Sequence, residues 1–141
     1  LKTGPIILIE DDIDDQEFIV ETLQTIGVKN EILIFDNGQK AFEFLKSSTV
    51  QPFIILSDLN LPIMNGLQLK SLIQQDDELR GRSIPFIFLT TSSDSRSVQE
   101  AFDLSAQGFF VKENTYDNIH AQLTQIVEYW KRCRHPNIKE A

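Results

Sequence analysis

Two spacings alternate along the chain. Short apolar runs fall at residues 5–9, 31–35, 53–56, 85–89 and 108–111. Their length and their wealth of Ile, Phe and Val predict strands. Runs that are apolar without interruption suit strands buried on both faces, as in a parallel sheet. Between them the apolar residues take helical spacing: Ile19, Leu23 and Ile26; Ala41, Phe44 and Leu45; Leu69, Leu72 and Ile73; Val98, Ala101 and Phe102. The clearest stripe is the last, where Ile119, Leu123, Ile126, Val127 and Trp130 share one helix face. Gly27, Asn37-Gly38, Pro52, Gly66 and Gly108 punctuate the joints. The segment "QQDDELRGRS" at 74–83 lacks such periodicity and reads as a polar loop, either plainly solvated or a partner surface.

The pattern predicts an α/β fold, a five-stranded parallel sheet flanked by five helices. Right-handed crossovers leave few arrangements, and the leading one is the doubly wound, flavodoxin-like (βα)5 order 2-1-3-4-5. In such open sheets ligands bind beyond the carboxyl ends of the strands, where the strand order reverses. The first strand ends on Glu10 and Asp11, and the third on Asp58. The fourth ends on Thr90 and Thr91, and the fifth on Lys112. Carboxylates, hydroxyls and one amine are thus expected on a single edge.

The stretch "LIEDDIDDQEF" sets Glu10, Asp11, Asp12, Asp14 and Asp15 directly behind a buried strand. Asp12, Asp14 and Asp15 are explained by helix N-terminal chemistry, capping and the macrodipole. Glu10 and Asp11 precede that helix and share a crevice with Asp58. Two carboxylates ~4 Å apart repel by roughly 4 kcal/mol at an effective dielectric of 20. A helix terminus returns only about 0.3–1 kcal/mol per charge. A divalent cation resolves the conflict, and all-oxygen ligands point to a hard ion such as Mg²⁺. Asp58, in "ILSDLNLPIMNG", is by itself an ordinary strand-end aspartate opening a turn. Beside a metal and an amine it becomes a phosphoryl acceptor candidate. Lys112 is either a solvated lysine closing a strand or the neutralising charge of that site. Thr90 is either a β-branched strand residue or a hydroxyl donor to it.

Composition narrows the classes. The formal charge of −8 argues against nonspecific binding to nucleic acid or anionic lipid. No run approaches the ~20 apolar residues of a membrane span, and no signal-peptide pattern opens the chain. Cys133 is the one cysteine, which excludes an internal disulfide and suits a reducing cytoplasm. His120 and His135 lie on or after the last helix and read as ordinary.

In "LIEDD", "DLNLPIMNG", "FLTT" and "GFFVK", taken in this order and spacing, the chain resembles bacterial response regulator receiver domains. It is similar, more narrowly, to the small regulators paired with phytochrome-type histidine kinases. The resemblance spans residues 5–131, with 1–4 left as a disordered or cloning-derived tail and 132–141 as a C-terminal tail. It implies a His-to-Asp phosphorelay in which a sensor histidine kinase or histidine phosphotransfer protein phosphorylates Asp58 in the presence of Mg²⁺. It further implies Asp11 as a direct metal ligand, Glu10 as one through water, and the Asn60 carbonyl as a third. Lys112 and Thr90 would contact the phosphoryl group, and Phe109 takes the switch-aromatic position. For Phe109 a plain core or surface aromatic is the competing explanation. The family usually has a cis-proline after the lysine. Here Glu113 follows Lys112, and a non-proline cis bond costs about 2.5–4 kcal/mol, so a trans, differently shaped loop is expected.

The expected role is a phosphoacceptor rather than an enzyme. Its output is binding of an unidentified downstream protein, with no nucleic acid bound by this chain alone. The apolar last helix also admits a homodimer. The rival is a pseudo-receiver, a protein-interaction module that carries no phosphate. A flavin carrier on the same topology would need a Gly- and hydroxyl-rich loop after the first strand, where this chain has carboxylates. A phosphatase would need a second aspartate two positions after Asp58, where Asn60 stands.

Overall fold

The computed structural model describes residues 2–136. The order of elements is β1 (Ile6–Ile9), α1 (Ile13–Thr25), β2 (Ile32–Phe35), α2 (Gly38–Ser47), β3 (Ile54–Ser57), α3 (Gly66–Gln75), α4 (Asp77–Arg82), β4 (Phe86–Thr90), α5 (Ser95–Asp103), β5 (Gly108–Val111) and α6 (Tyr116–Arg132). The five strands are parallel, in the order β2-β1-β3-β4-β5. The expected topology is therefore the observed one.

The period-2 alternation of the strands explains the two cores. Ile7, Ile9, Ile55, Phe86 and Phe88 face one side and pack with Ala41 of α2, Leu69 and Ile73 of α3, Leu79 of α4 and Ala101 of α5. Ile6, Leu8, Ile54, Leu56, Ile87 and Leu89 face the other and pack with Ile19 and Leu23 of α1 and Leu123, Ile126 and Val127 of α6. Both faces of β1, β3 and β4 are covered, which is why these strands read as unbroken apolar runs. The edge strands are less buried, with Ile34 and Val111 exposed. Of the apolar stripe of α6, Leu123, Ile126 and Val127 are buried in this second core, with Ile119 and Trp130 partly buried against it.

Among the described residues there are six helices, not five. The segment read as a polar loop folds into α4. Asp76 caps it by accepting from Leu79 N at 3.0 Å, and Leu79 is its single buried anchor. Arg80 pairs with Asp77 at 2.7 Å and Arg82 with Glu78 at 2.6 Å, one turn apart. Ser83, in the left-handed region at φ 51°, ends it. One apolar residue cannot make a period, so no hydrophobic stripe announced this helix.

Three further expectations change. Phe102 lies on the outer side of α5, 51% exposed, and Ala101 alone of that stripe is fully buried. Lys2 to Gly4 are tied down rather than loose, since Asn30 Nδ2 donates to the carbonyls of Lys2 and Gly4 at 2.7 Å each. His135 is fully buried, its Nε2 2.7 Å from Phe53 O and its ring stacked on Phe53. The predicted C-terminal tail therefore begins as the last residue of α6 and returns to the sheet. Its remaining residues, 137–141, lie outside the described residues.

Asp76 closes α3, opens α4 and lies 2.8 Å from Lys46 Nζ on α2. The hydrogen bond from Lys46 and that from the Leu79 amide hold its carboxyl below the usual range. A carboxyl lowered in this way adds stability above its unfolded pKa and loses it as the pH falls through the folded value. Asp76→Asn keeps a capping oxygen but not the charge. It is expected to lower the Tm at neutral pH, by an amount that shrinks below about pH 4. A thermal-melt series in which the difference stays constant into acid would contradict this.

A Cβ on Gly66 would collide with the carbonyl oxygen of Asp58 and stand 2.9 Å from Phe88 Cε1. Gly66→Ala is expected to cost about 1–3 kcal/mol through backbone displacement. Urea denaturation measures it, and an unchanged midpoint would mean that the loop after β3 yields freely.

Candidate functional site

The sheet brings the strand ends together. Asp58 N donates to Ile9 O at 2.9 Å, continuing the register in which Ile9 lies beside Ser57. Glu10 and Asp11 therefore leave β1 alongside Asp58. Lys112 N donates to Thr90 O at 2.8 Å, so the residue after β5 is fixed beside the last residue of β4. The carboxylates of Glu10, Asp11 and Asp58 each offer an oxygen within 4.8 Å of the others. Glu10 is buried, Asp58 half-buried and Asp11 exposed.

Lys112 enters this group from the other side. Its Nζ lies 2.7 Å from Glu10 Oε1 and 3.4 Å from Asp15 Oδ2. Burial pushes the Glu10 carboxyl above its usual range, and the charge of Asp58 adds to that, while the hydrogen bond and charge of Lys112 act the other way. For Lys112, burial acts to lower the pKa, but Glu10, Asp58 and Asp15 together outweigh it and raise it. One ammonium thus answers three carboxylates at the mouth of the sheet, with Asp15 as a fourth. The excess of negative charge and the all-oxygen donor set fit a hard divalent cation.

The hydrogen bonds to the Asp58 carboxylate fall on Oδ1, from Leu59 N at 2.7 Å and Asn60 N at 3.4 Å. Asn60 itself is exposed, and its Nδ2 donates to Ser92 Oγ at 2.5 Å, linking the loops after β3 and β4. Thr90 is fully buried, and its Oγ1 accepts from Ser92 N at 3.3 Å. Phe109 is half-buried on the first core, its ring 5.7 Å from that of Phe88. No cis peptide occurs among the described residues, so Lys112–Glu113 is trans as expected. Glu113 is exposed, and its N–H donates to Gln122 Oε1 at 3.2 Å.

Every strand-end residue singled out in the sequence lies on this edge. Asp12 caps α1 as expected, accepting from Asp15 N at 2.9 Å. Asp15 does more than helix-end chemistry, because its side chain reaches Lys112. Gln16 also went unnoticed; its Nε2 donates to Glu10 O at 2.6 Å and fixes the turn out of β1. The contact between residues 15 and 112 depends on the crossing of α1 over the sheet, which one-dimensional spacing does not contain. For Gly66 a signal existed, since a glycine just past an Asn and eight residues beyond Asp58 marks a close approach as well as a helix start.

The family model described as the response regulator receiver domain matches residues 6–124. Response regulator Rcp1 of Synechocystis sp. is 28% identical over 130 residues, covering 89% of this chain and 87% of its own. The crystal structure of the phosphorylated cyanobacterial phytochrome response regulator RcpA matches with a TM-score of 0.86 at 27% identity, over 94% of this chain and 98% of RcpA. The Mn²⁺-bound form of Rcp1 matches with a TM-score of 0.85 at 27% identity, over 94% and 99%. The likeness to phytochrome-associated regulators read from the sequence recurs in these matches. With the family model spanning residues 6–124, the chain belongs to the response regulator receiver domain family.

Proposed function

We propose that this chain is a phosphoacceptor in a two-component His-to-Asp relay, with Asp58 as the residue phosphorylated. The observation that carries the reading is the gathering of Glu10, Asp11 and Asp58 within 4.8 Å at the carboxyl edge of the sheet, with Lys112 against them. A pseudo-receiver would be expected to have lost part of this set, and the acceptor, acidic pair, hydroxyl and lysine are all in place.

The donor is the phosphohistidine of a sensor histidine kinase or a histidine phosphotransfer protein. An oxygen of Asp58 attacks phosphorus, the P–N bond breaks, and the departing imidazole takes up a proton. Oδ2, which has no hydrogen bond among the described residues, is the oxygen assigned to the attack. Glu10, Asp11, Asp58 and the Asn60 carbonyl would hold Mg²⁺, whose charge offsets that of the equatorial oxygens. Lys112 swings from Glu10 to the incoming phosphoryl oxygens and supplies a second positive charge. Thr90 donates its hydroxyl to the same group. Phe109, packed against Phe88, follows Thr90 inward, and the surface it leaves recruits a downstream protein. The relay operates in the cytoplasm, where the single thiol of Cys133 stays reduced.

Incubation with acetyl phosphate and Mg²⁺, followed by intact mass, tests the reading. One added phosphoryl group is expected on the wild type and none on Asp58→Asn or after removal of the metal by chelation. Lys112→Met, which takes away one of the two neutralising charges, is expected to slow the reaction by at least tenfold. An unmodified mass with several small phosphodonors would favour the pseudo-receiver.

A further inference from the structure

At the opposite end of the sheet from Asp58 lies a cavity of about 200 Å³ under the starts of β4 and β5, between the ends of α3, α4 and α5. At ~30 Å³ per water it has room for six or seven waters, or for a small organic molecule. Lys70 lines it and is only 4% exposed. Buried lysines are rare unless paired, and no salt bridge to Lys70 occurs among the described residues. Its Nζ donates to Gln74 Oε1 at 3.4 Å and lies 5.7 Å from the centre of the Phe86 ring.

Those contacts are weak compensation. A hydrogen bond at that length is near its limit, and 5.7 Å is close to the outer range of a cation–π contact. Neither replaces the hydration that a buried ammonium gives up. Burial accordingly lowers the Lys70 pKa, with nothing opposing it. The second charged group of the lining is also positive: Arg80, whose guanidinium is steered by Asp77 and by Gln74 O. Arg80 is already paired with Asp77, so Lys70 is the cation of the lining that no carboxylate among the described residues answers. Ser83 and Ser105 line it as well, both in the left-handed region at φ 51° and 65°. For residues other than glycine that conformation is uncommon and is retained only where surrounding structure holds it. Ile73, Leu79 and Ile84 supply an apolar wall.

We infer that this cavity binds a short-chain aliphatic carboxylate, its carboxyl group on Lys70 and its alkyl end on Ile73, Leu79 and Ile84. Polar groups that fix one end and apolar groups that cover the other are the usual makeup of a small-ligand site. The site is independent of the phosphoacceptor edge and stands whether or not Asp58 is phosphorylated.

Titration of the full chain with butyrate, followed by ¹⁵N–¹H NMR and by the ¹³Cε signals of its lysines, tests the inference. Saturable shifts are expected at the amides of Ser83, Ser105 and Gln107, together with a shift of the Lys70 signal. Lys70→Met, which keeps an unbranched chain over Phe86, is expected to weaken binding at least tenfold while leaving the spectrum folded. If that variant does not fold, the Lys70 signal of the wild type decides alone. Shifts that do not saturate, or that gather elsewhere, overturn the inference. So does equal binding of the neutral butyramide, which would remove the role of charge, or of inorganic phosphate, which would remove the preference for carboxylate.

Discussion

Glu10, Asp11 and Asp58 are held within 4.8 Å of one another, and like charges at such separations repel by several kcal/mol even with protein-like screening. Lys112 meets Glu10 at 2.7 Å and offsets part of this. The remaining excess suits the edge to a cation, and the proposed function needs that cation in place before an anion approaches. The chemistry proposed for Asp58 depends on that order of charges. A carboxylate nucleophile approaches a phosphoryl group only where the negative charge of both is neutralised.

The fold enforces the crowding. Parallel strands deliver successive chain segments to one edge, and the register of β1 with β3 sets Asp58 beside the exit from Ile9. Two apolar cores, one on each face, hold the strands against the repulsion at their ends. The loop after β3 is pressed so closely on α3 that Gly66 leaves no room for a Cβ beside the Asp58 carbonyl. Stability of the domain and placement of Asp58 are therefore linked through the same backbone contact. The Lys70 cavity uses the other end of the same strands, where no such acidic cluster is found among the described residues.

Much of this was legible in the sequence because it rests on spacing and residue type. Unbroken apolar runs separated by helical stripes are sufficient for a doubly wound sheet, and reading the residue after each run yields Glu10, Asp11, Asp58, Thr90 and Lys112. What escaped depends on contacts between distant segments or on sparse signals. Leu79 is one buried residue in a polar stretch, so α4 left no periodic trace. Phe102 fits a stripe by count, yet α5 is short and lies near solvent, and one turn of it suffices for packing. His135 looked like a tail residue because nothing local reveals that the chain returns to Phe53. Asp15 reaches Lys112 across 97 positions, a contact fixed by how α1 lies over the sheet.

The measurement nearest to the underlying electrostatics is the affinity for Mg²⁺, by calorimetric titration of the wild type and of Asp11→Asn. If a cation balances the three carboxylates, the wild type binds one ion per chain and the variant binds at least tenfold more weakly. Equal heats for the two proteins, or no binding by either, would mean that the acidic edge is stabilised by Lys112 alone, and the phosphoacceptor chemistry would lose its basis.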